Sequence, residues 1–253
     1  PDHLVFAVKG YNGFKISTDS LLNGKRIITA NEENIEAIHE EKYASAIPYN
    51  INIQYKLSYN LDKDKNVRLY TWNELAKNVY NNYNSFTDSE VKVISNFFKQ
   101  VKLDEKAAEE DKIIAIEDFI KTNINTDGNA ISDDADKIEK IVKTKLAGNF
   151  GFTRLLIGLL QKAGINHQIV YPSKRNDLGI DENFENYRLI EEPLLYFPGT
   201  GNFLDPLNAS FRYPYVDPYS AGTRGLFLKG TAIGDFKTAL PVFDSIPLKK
   251  KKK

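Results

Sequence analysis

The clearest periodic signal in the chain is an alternation over residues 50–59. Ile51, Ile53, Tyr55, Leu57 and Tyr59 are separated by Asn52, Gln54, Lys56 and Ser58. Period two predicts a strand with the first set on a buried face and the second in water. Leu4–Val8 and Arg26–Thr29 are shorter apolar or β-branched runs bounded by Gly and Asn, and they read as further strands. Asp62-Lys63-Asp64-Lys65 breaks the pattern as a turn or domain joint. The period then lengthens. Thr71 with Glu74 and Thr87 with Glu90 have the spacing of capping boxes, each ahead of a helical pattern. Trp72, Leu75, Val79 and Tyr80 follow the first, and Val91, Ile94, Phe98 and Val101 the second.

A third helix is predicted over about 107–123, with Ile113, Ile116, Phe119 and Ile120 inward, and a polar loop with Gly128 follows it. A short helix near 134–145 leads to Gly148. Residues 151–163 carry the broadest apolar stripe, formed by Phe152, Leu155, Leu156, Leu159, Leu160 and Ala163, and Gly164 supplies the stop. Such a stripe predicts a helix buried in the middle of a domain. After it the period returns to two. His167–Tyr171, Asn186–Glu191 and Leu194–Phe197 read as strands, Gly199-Thr200-Gly201 as a hairpin turn, and Gly225–Leu228 as a later strand. Helices followed by an antiparallel sheet predict an α+β fold.

Composition narrows the chemistry. Hydrophobic residues are 42% and charged residues 27% of the 253 positions, which is globular rather than disordered usage. Lys+Arg and Asp+Glu are both 34, so no whole-molecule field draws nucleic acid to the chain. No apolar run approaches the roughly 20 residues of a membrane-spanning helix. There is no Cys, which excludes disulfides, thiolate catalysis and Cys-ligated metal. His3, His39 and His167 lie far apart without metal-ligand spacing, so neither a metal nor a cofactor is expected. The chain starts at Pro1 and has no Met, which suggests trimming and residues dropped from the written sequence. Lys249–Lys253 reads as a solvated tail.

Gly148-Asn149-Phe150-Gly151-Phe152-Thr153-Arg154 followed by Leu159-Leu160-Gln161-Lys162-Ala163-Gly164-Ile165, with Asn202-Phe203-Leu204-Asp205-Pro206 downstream, resembles the central motif of the transglutaminase-like, papain-type superfamily. In that family a Gly-x-Cys turn opens the buried helix, and strands bearing His and then Asp follow. The strand-rich start and the helices after Trp72 are similar to bacterial proteins, especially from Bacteroidetes, that join a β-sandwich of unknown function to this core. The resemblance implies a β-rich domain at 1–66, a transglutaminase-like core at 67–215 and the start of a C-terminal β-unit at 216–253. It also implies a periplasmic or extracellular setting.

A thiolate at a helix N-terminus is stabilised by the exposed N–H groups and the macrodipole, while His shuttles protons and Asp orients the His. Carried over by position, the family Cys falls on Phe150, the His on Asn186 and the Asp on Asp205. Phe150 has no lone pair and Asn186 takes no proton at neutral pH. The implied triad is lost.

Substitute chemistries are weaker. A Thr153–His167 pair lacks an orienting partner, so Thr153 is expected to bond to helix backbone and His167 to sit half-exposed on the sheet. Glu191-Glu192 and Asp181-Glu182 are adjacent and should diverge, unlike glycosidase carboxylates. Asp133, Asp134 and Asp136 lack the offsets of a Ca²⁺ loop and are expected to favour the next helix start. Several of the 14 Tyr and 15 Phe cluster late, at Phe211, Tyr213, Tyr215 and Tyr219 amid Pro214 and Pro218. They are read first as packing and second as a stacking surface.

The expectation is therefore a catalytically inactive transglutaminase-like module that binds a peptide, protein or glycan, with Asn149, Tyr187, Tyr213 and Tyr215 as candidate ligand contacts. The alternative is a hydrolase or acyltransferase with a nucleophile other than Cys.

Overall fold

Thr71 and Thr87 cap helices where their spacing predicts, each accepting the backbone N–H three residues on. The computed structural model describes residues 3–38, 45–62, 67–127, 134–233 and 236–248. Gly128, Asp133, His39, most of the 62–65 turn and the Lys249–Lys253 tail lie outside the described residues.

The N-terminal part holds β1 (Leu4–Tyr11), β2 (Ile16–Leu22), β3 (Lys25–Ala30) and β4 (Asn52–Asn60). They form two antiparallel pairs, β1 with β4 and β2 with β3. The helical part follows with α1 (Trp72–Asn84), α2 (Asp88–Phe98) and α3 (Glu109–Asn123). Next come β5 (Asn125–Thr126), α4 (Ile138–Thr144), β6 (Leu146–Ala147) and α5 (Asn149–Lys162). β5 pairs parallel with β6 and so ties the end of α3 to the start of α5. Ile113, Ile116 and Ile120 face inward as the helical period predicts, while Phe119 is half-buried against the Phe97 ring at 4.9 Å.

β7 (Gln168–Pro172), β8 (Leu194–Phe197), β9 (Asn202–Leu204), β10 (Thr223–Ile233) and β11 (Phe236–Ile246) make one sheet of order β11-β10-β7-β8-β9. Every pairing is antiparallel, so the chain is an α+β fold. One face carries Ile169, Tyr171, Leu195, Phe197, Leu226 and Leu228 into the main core with the helices. The other carries Val170, Leu194, Phe203, Phe227 and Ile246 into a second, smaller cluster. At the centre of the main core lies α5, with Leu155, Leu156, Ile157, Leu159 and Leu160 fully buried. Gly158 lets α2 approach closely there, since a Cβ would stand 2.7 Å from Ile94 Cδ1 and 3.2 Å from Phe86 Cζ.

Two expectations need correction. Residues 186–191 form no strand; a 3-10 turn over Tyr187–Leu189 stands there, started by the Asn186 side chain accepting from Arg188 N. The other correction is the face of β4. Gln54, Lys56 and Ser58 are buried, while Ile53 is 39% and Tyr55 56% exposed. Alternation was read correctly as a strand and wrongly in its direction.

The polar face turns inward because its partners are polar. Lys56, only 7% exposed, pairs with the buried Glu185, which also takes Arg68 Nη2 at 2.6 Å. Gln54 Oε1 accepts from Asn186 Nδ2 at 2.8 Å. Nearby, Lys9 pairs with Asp181, Tyr11 donates to Asp181 at 2.8 Å, and Trp72 Nε1 donates to its carbonyl at 3.2 Å. A side chain that satisfies each donor makes the burial tolerable.

Glu185→Ala would leave Lys56 charged and unpaired in the interior, at a cost of about 3–5 kcal/mol. Lys56→Met combined with Glu185→Leu should recover most of that loss. Urea titration of both variants checks this, and a loss below about 1 kcal/mol in the single variant would contradict it.

Candidate functional site

The start of α5 is where the resemblance places a nucleophile. Gly148 is the N-cap and offers no side chain to the first N–H groups. Asp136 supplies one instead, its Oδ1 accepting from Gly151 N at 2.8 Å, while Gly148 N donates to Ala135 O at 3.0 Å. Glycine at 151 makes this possible. A Cβ there would lie 2.7 Å from both Ala135 O and Asp136 Cα, which are backbone atoms with little room to retreat. A carboxylate therefore sits on the positive end of the central helix. Asp136 was expected to serve the next helix, α4; it serves α5. Asp134 is the one that pairs with α4 side, through Lys137 at 2.8 Å and Lys140 at 3.7 Å.

Beside this cap, the half-buried Phe150 ring packs at 4.7 Å on Tyr83, tilted by 56°. Burial, then the nearby Asp136 and Glu192 charges, pushes the Tyr83 phenol up to about 12, so it stays protonated. Asn149 Nδ2 donates to Glu192 Oε1 at 2.7 Å.

The other positions carried over from the family lie in different contact clusters. Asn186 is buried against Gln54 of β4. Asp205 Oδ1 accepts from Leu207 N at 3.2 Å and Asn208 N at 3.1 Å, closing its own turn. Burial raises its carboxyl above the ordinary range, partly offset by those N–H groups and by Lys121. Among the described residues no hydrogen bond or ring contact links Phe150, Asn186 and Asp205.

Of the ligand candidates, Tyr187 stacks on Trp72 at 5.8 Å and donates to Thr71 O at 2.5 Å. The Tyr213 phenol takes Asn202 Nδ2 at 3.0 Å and donates to Thr200 Oγ1 at 2.8 Å. Both side chains are committed to packing. Tyr215, 43% exposed, borders a cavity of about 380 Å³ with Phe203, Phe211, Pro214 and Pro218.

Thr153 is fully buried, and its Oγ1 has no partner among the described residues, not even helix backbone. His167 sits elsewhere, with Nδ1 3.3 Å from Ile165 O and Nε2 3.1 Å from Asn84 Oδ1. The two make no pair. The adjacent carboxylates do diverge, although none of them lies in a strand: Glu191 pairs with Lys174, Glu192 with Asn149, and Glu182 with Arg224.

Sequence reading missed the Glu117–Lys121 pair of α3, because a helical charge pair four apart looks like a solvated surface bridge. Glu117 is 1% exposed. Its carboxylate accepts from Lys121 Nζ at 2.9 Å and Tyr213 N at 3.0 Å, while Lys121 also donates to the carbonyls of Asp205 and Asn208, each at 2.8 Å. Among the described residues no acidic or His cluster could hold a metal ion, and no helix is long and apolar enough to cross a membrane.

No family model matches the chain, and no curated protein matches it in sequence. Among solved structures it is similar to the 2.00 Å crystal structure of a protein of Parabacteroides distasonis ATCC 8503 described as a "putative protease". The superposition has a TM-score of 0.54 at 14% identity over 96% of this chain. This chain spans 42% of the length of that protein. The likeness is one of fold.

Asp136→Ala removes the cap from α5 and should cost about 0.5–2 kcal/mol, with Asp136→Asn losing less, as read by urea titration. For His167, burial holds the imidazole below its ordinary range. The unfolded chain then takes up the proton first, so stability is lost as pH falls below about 6.5. His167→Gln should flatten that part of the pH–stability curve, and an unchanged slope would contradict the assignment.

Proposed function

We propose that this chain carries a transglutaminase-like core without acyl-transfer chemistry, serving as a binding module of a larger bacterial envelope protein. The observation that carries this reading is the occupied start of α5. The site suited to a thiolate is taken by the chain's own Asp136 carboxylate, and the residue at the nucleophile position is a phenylalanine packed on Tyr83. An anion already bound to the Gly151 N–H competes there with any developing charge. The element order supports the family reading: a buried helix, a strand, then a turn bearing Asp205. The ligand class that suits an open polar and aromatic surface is a peptide or a glycan. The envelope setting rests on the sequence resemblance alone.

A hydrolase with another nucleophile needs a hydroxyl within reach of a base. The buried Thr153 and the Asn84-bound His167 do not supply one.

Incubation with glutamine-containing peptides, with an amine donor or with water as acceptor, should give no product above the protein-free blank by mass spectrometry. Turnover that Thr153→Ala or Phe150→Ala abolishes would overturn the proposal.

A further inference from the structure

A cleft enclosing about 1290 Å³ runs from the outer face of the five-stranded sheet to the C-terminal ends of α1 and α5. It shares no lining residue with the start of α5. Its aromatic wall is built from Tyr196 on β8, with Phe203 of β9 at 4.9 Å and Phe227 of β10 at 5.5 Å. Phe203 and Phe227 are buried and support Tyr196, which is half-exposed and whose hydroxyl has no protein partner among the described residues. The side-chain amides of Asn166 and Gln168 also face this cleft without a protein partner there. Among the described residues, Lys229 and Lys237 line it as ammonium groups without an ion pair, and Asp244 is the one carboxylate.

We propose that this cleft binds an oligosaccharide, a reading that rests on the non-catalytic binding role above and moves the ligand away from the start of α5. Pockets for single small molecules enclose about 300–1,000 Å³, so this volume suits several linked units rather than one. Neutral amides offer donors and acceptors together, which matches the hydroxyl pairs of a sugar ring. A half-exposed tyrosine held by two supporting rings offers a flat apolar platform for the C–H face of a sugar, with a free hydroxyl at its edge. A peptide fits less well. Of the two sheet edges, β11 carries Pro241 in its middle with no N–H to give and has α1 packed along it, and β9 offers only the three residues Asn202–Leu204. Among the described lining residues, two ammonium groups against one carboxylate favour an acidic sugar.

The test is isothermal titration of the full chain with cellohexaose, chitohexaose and hexagalacturonate, alongside a strand-forming hexapeptide. Saturable binding of at least one sugar is expected, strongest for hexagalacturonate and weakened by added salt. Tyr196→Ala should weaken it about tenfold or more. Gln168→Ala should weaken it less, with an unchanged melting temperature, and it carries the test if Tyr196→Ala fails to fold. No saturable binding to any of the three sugars, affinity unchanged in the folded variants, or tighter binding of the hexapeptide would each overturn the proposal. A chain that binds no sugar and makes no acyl-transfer product loses this proposal alone. One that binds sugar and turns over peptide loses only the earlier one.

Discussion

The middle of α5, Leu155 to Leu160, is buried all round, and the first N–H groups of such a helix need fixed partners. Its N-cap is a glycine with no side chain to offer, so the partner comes from a distant residue, Asp136. That one bond fixes where the 134–137 segment lies, and with it the start of α4 and the close approach demanded by Gly148 and Gly151. The same bond places a carboxylate at the positive end of that helix.

The β1–β4 pair is held to this core by polar contacts set around one ring pair, Tyr11 with Phe184. Lys56, Gln54, Lys9 and Tyr11 reach from β4 and β1 into the 181–186 segment, where Glu185, Asn186 and Asp181 receive them. Each ion is matched, so the interface is specific in register: a one-residue slip of β4 would place Tyr55 against Glu185. The cost is an outward face that carries Phe6, Ile53 and Tyr55.

Local signals were legible in the sequence wherever a period or a cap determines the element. The two threonine caps, the apolar stripe of α5 and the alternation of β7 and β8 all give the elements the structure contains. What escaped was whatever depends on a partner far along the chain. Nothing near residue 56 announces Glu185, so an ordinary amphipathic strand was oriented by its apolar side. Nothing near residue 136 announces Gly151. Asn186 lies in a segment whose apolar and polar residues alternate, yet its side chain captures Arg188 N and curls the backbone into a turn. The aromatic cleft escaped because its rings sit on three strands separated by loops. Alternation inside β8 and β10 was visible, but the outer face of this sheet is also apolar, which hides its direction.

Lys121 has a wider reach than its position in α3 suggests. One ammonium holds the carbonyls of Asp205 and Asn208 and is itself held by Glu117, whose other oxygen takes Tyr213 N. The 205–213 segment is thus fastened to a helix as well as, through the Tyr213 phenol, to the sheet edge it leaves. It opens when α3 opens, as part of that cooperative unit, although its place in the chain between two strands would mark it as an independent surface loop.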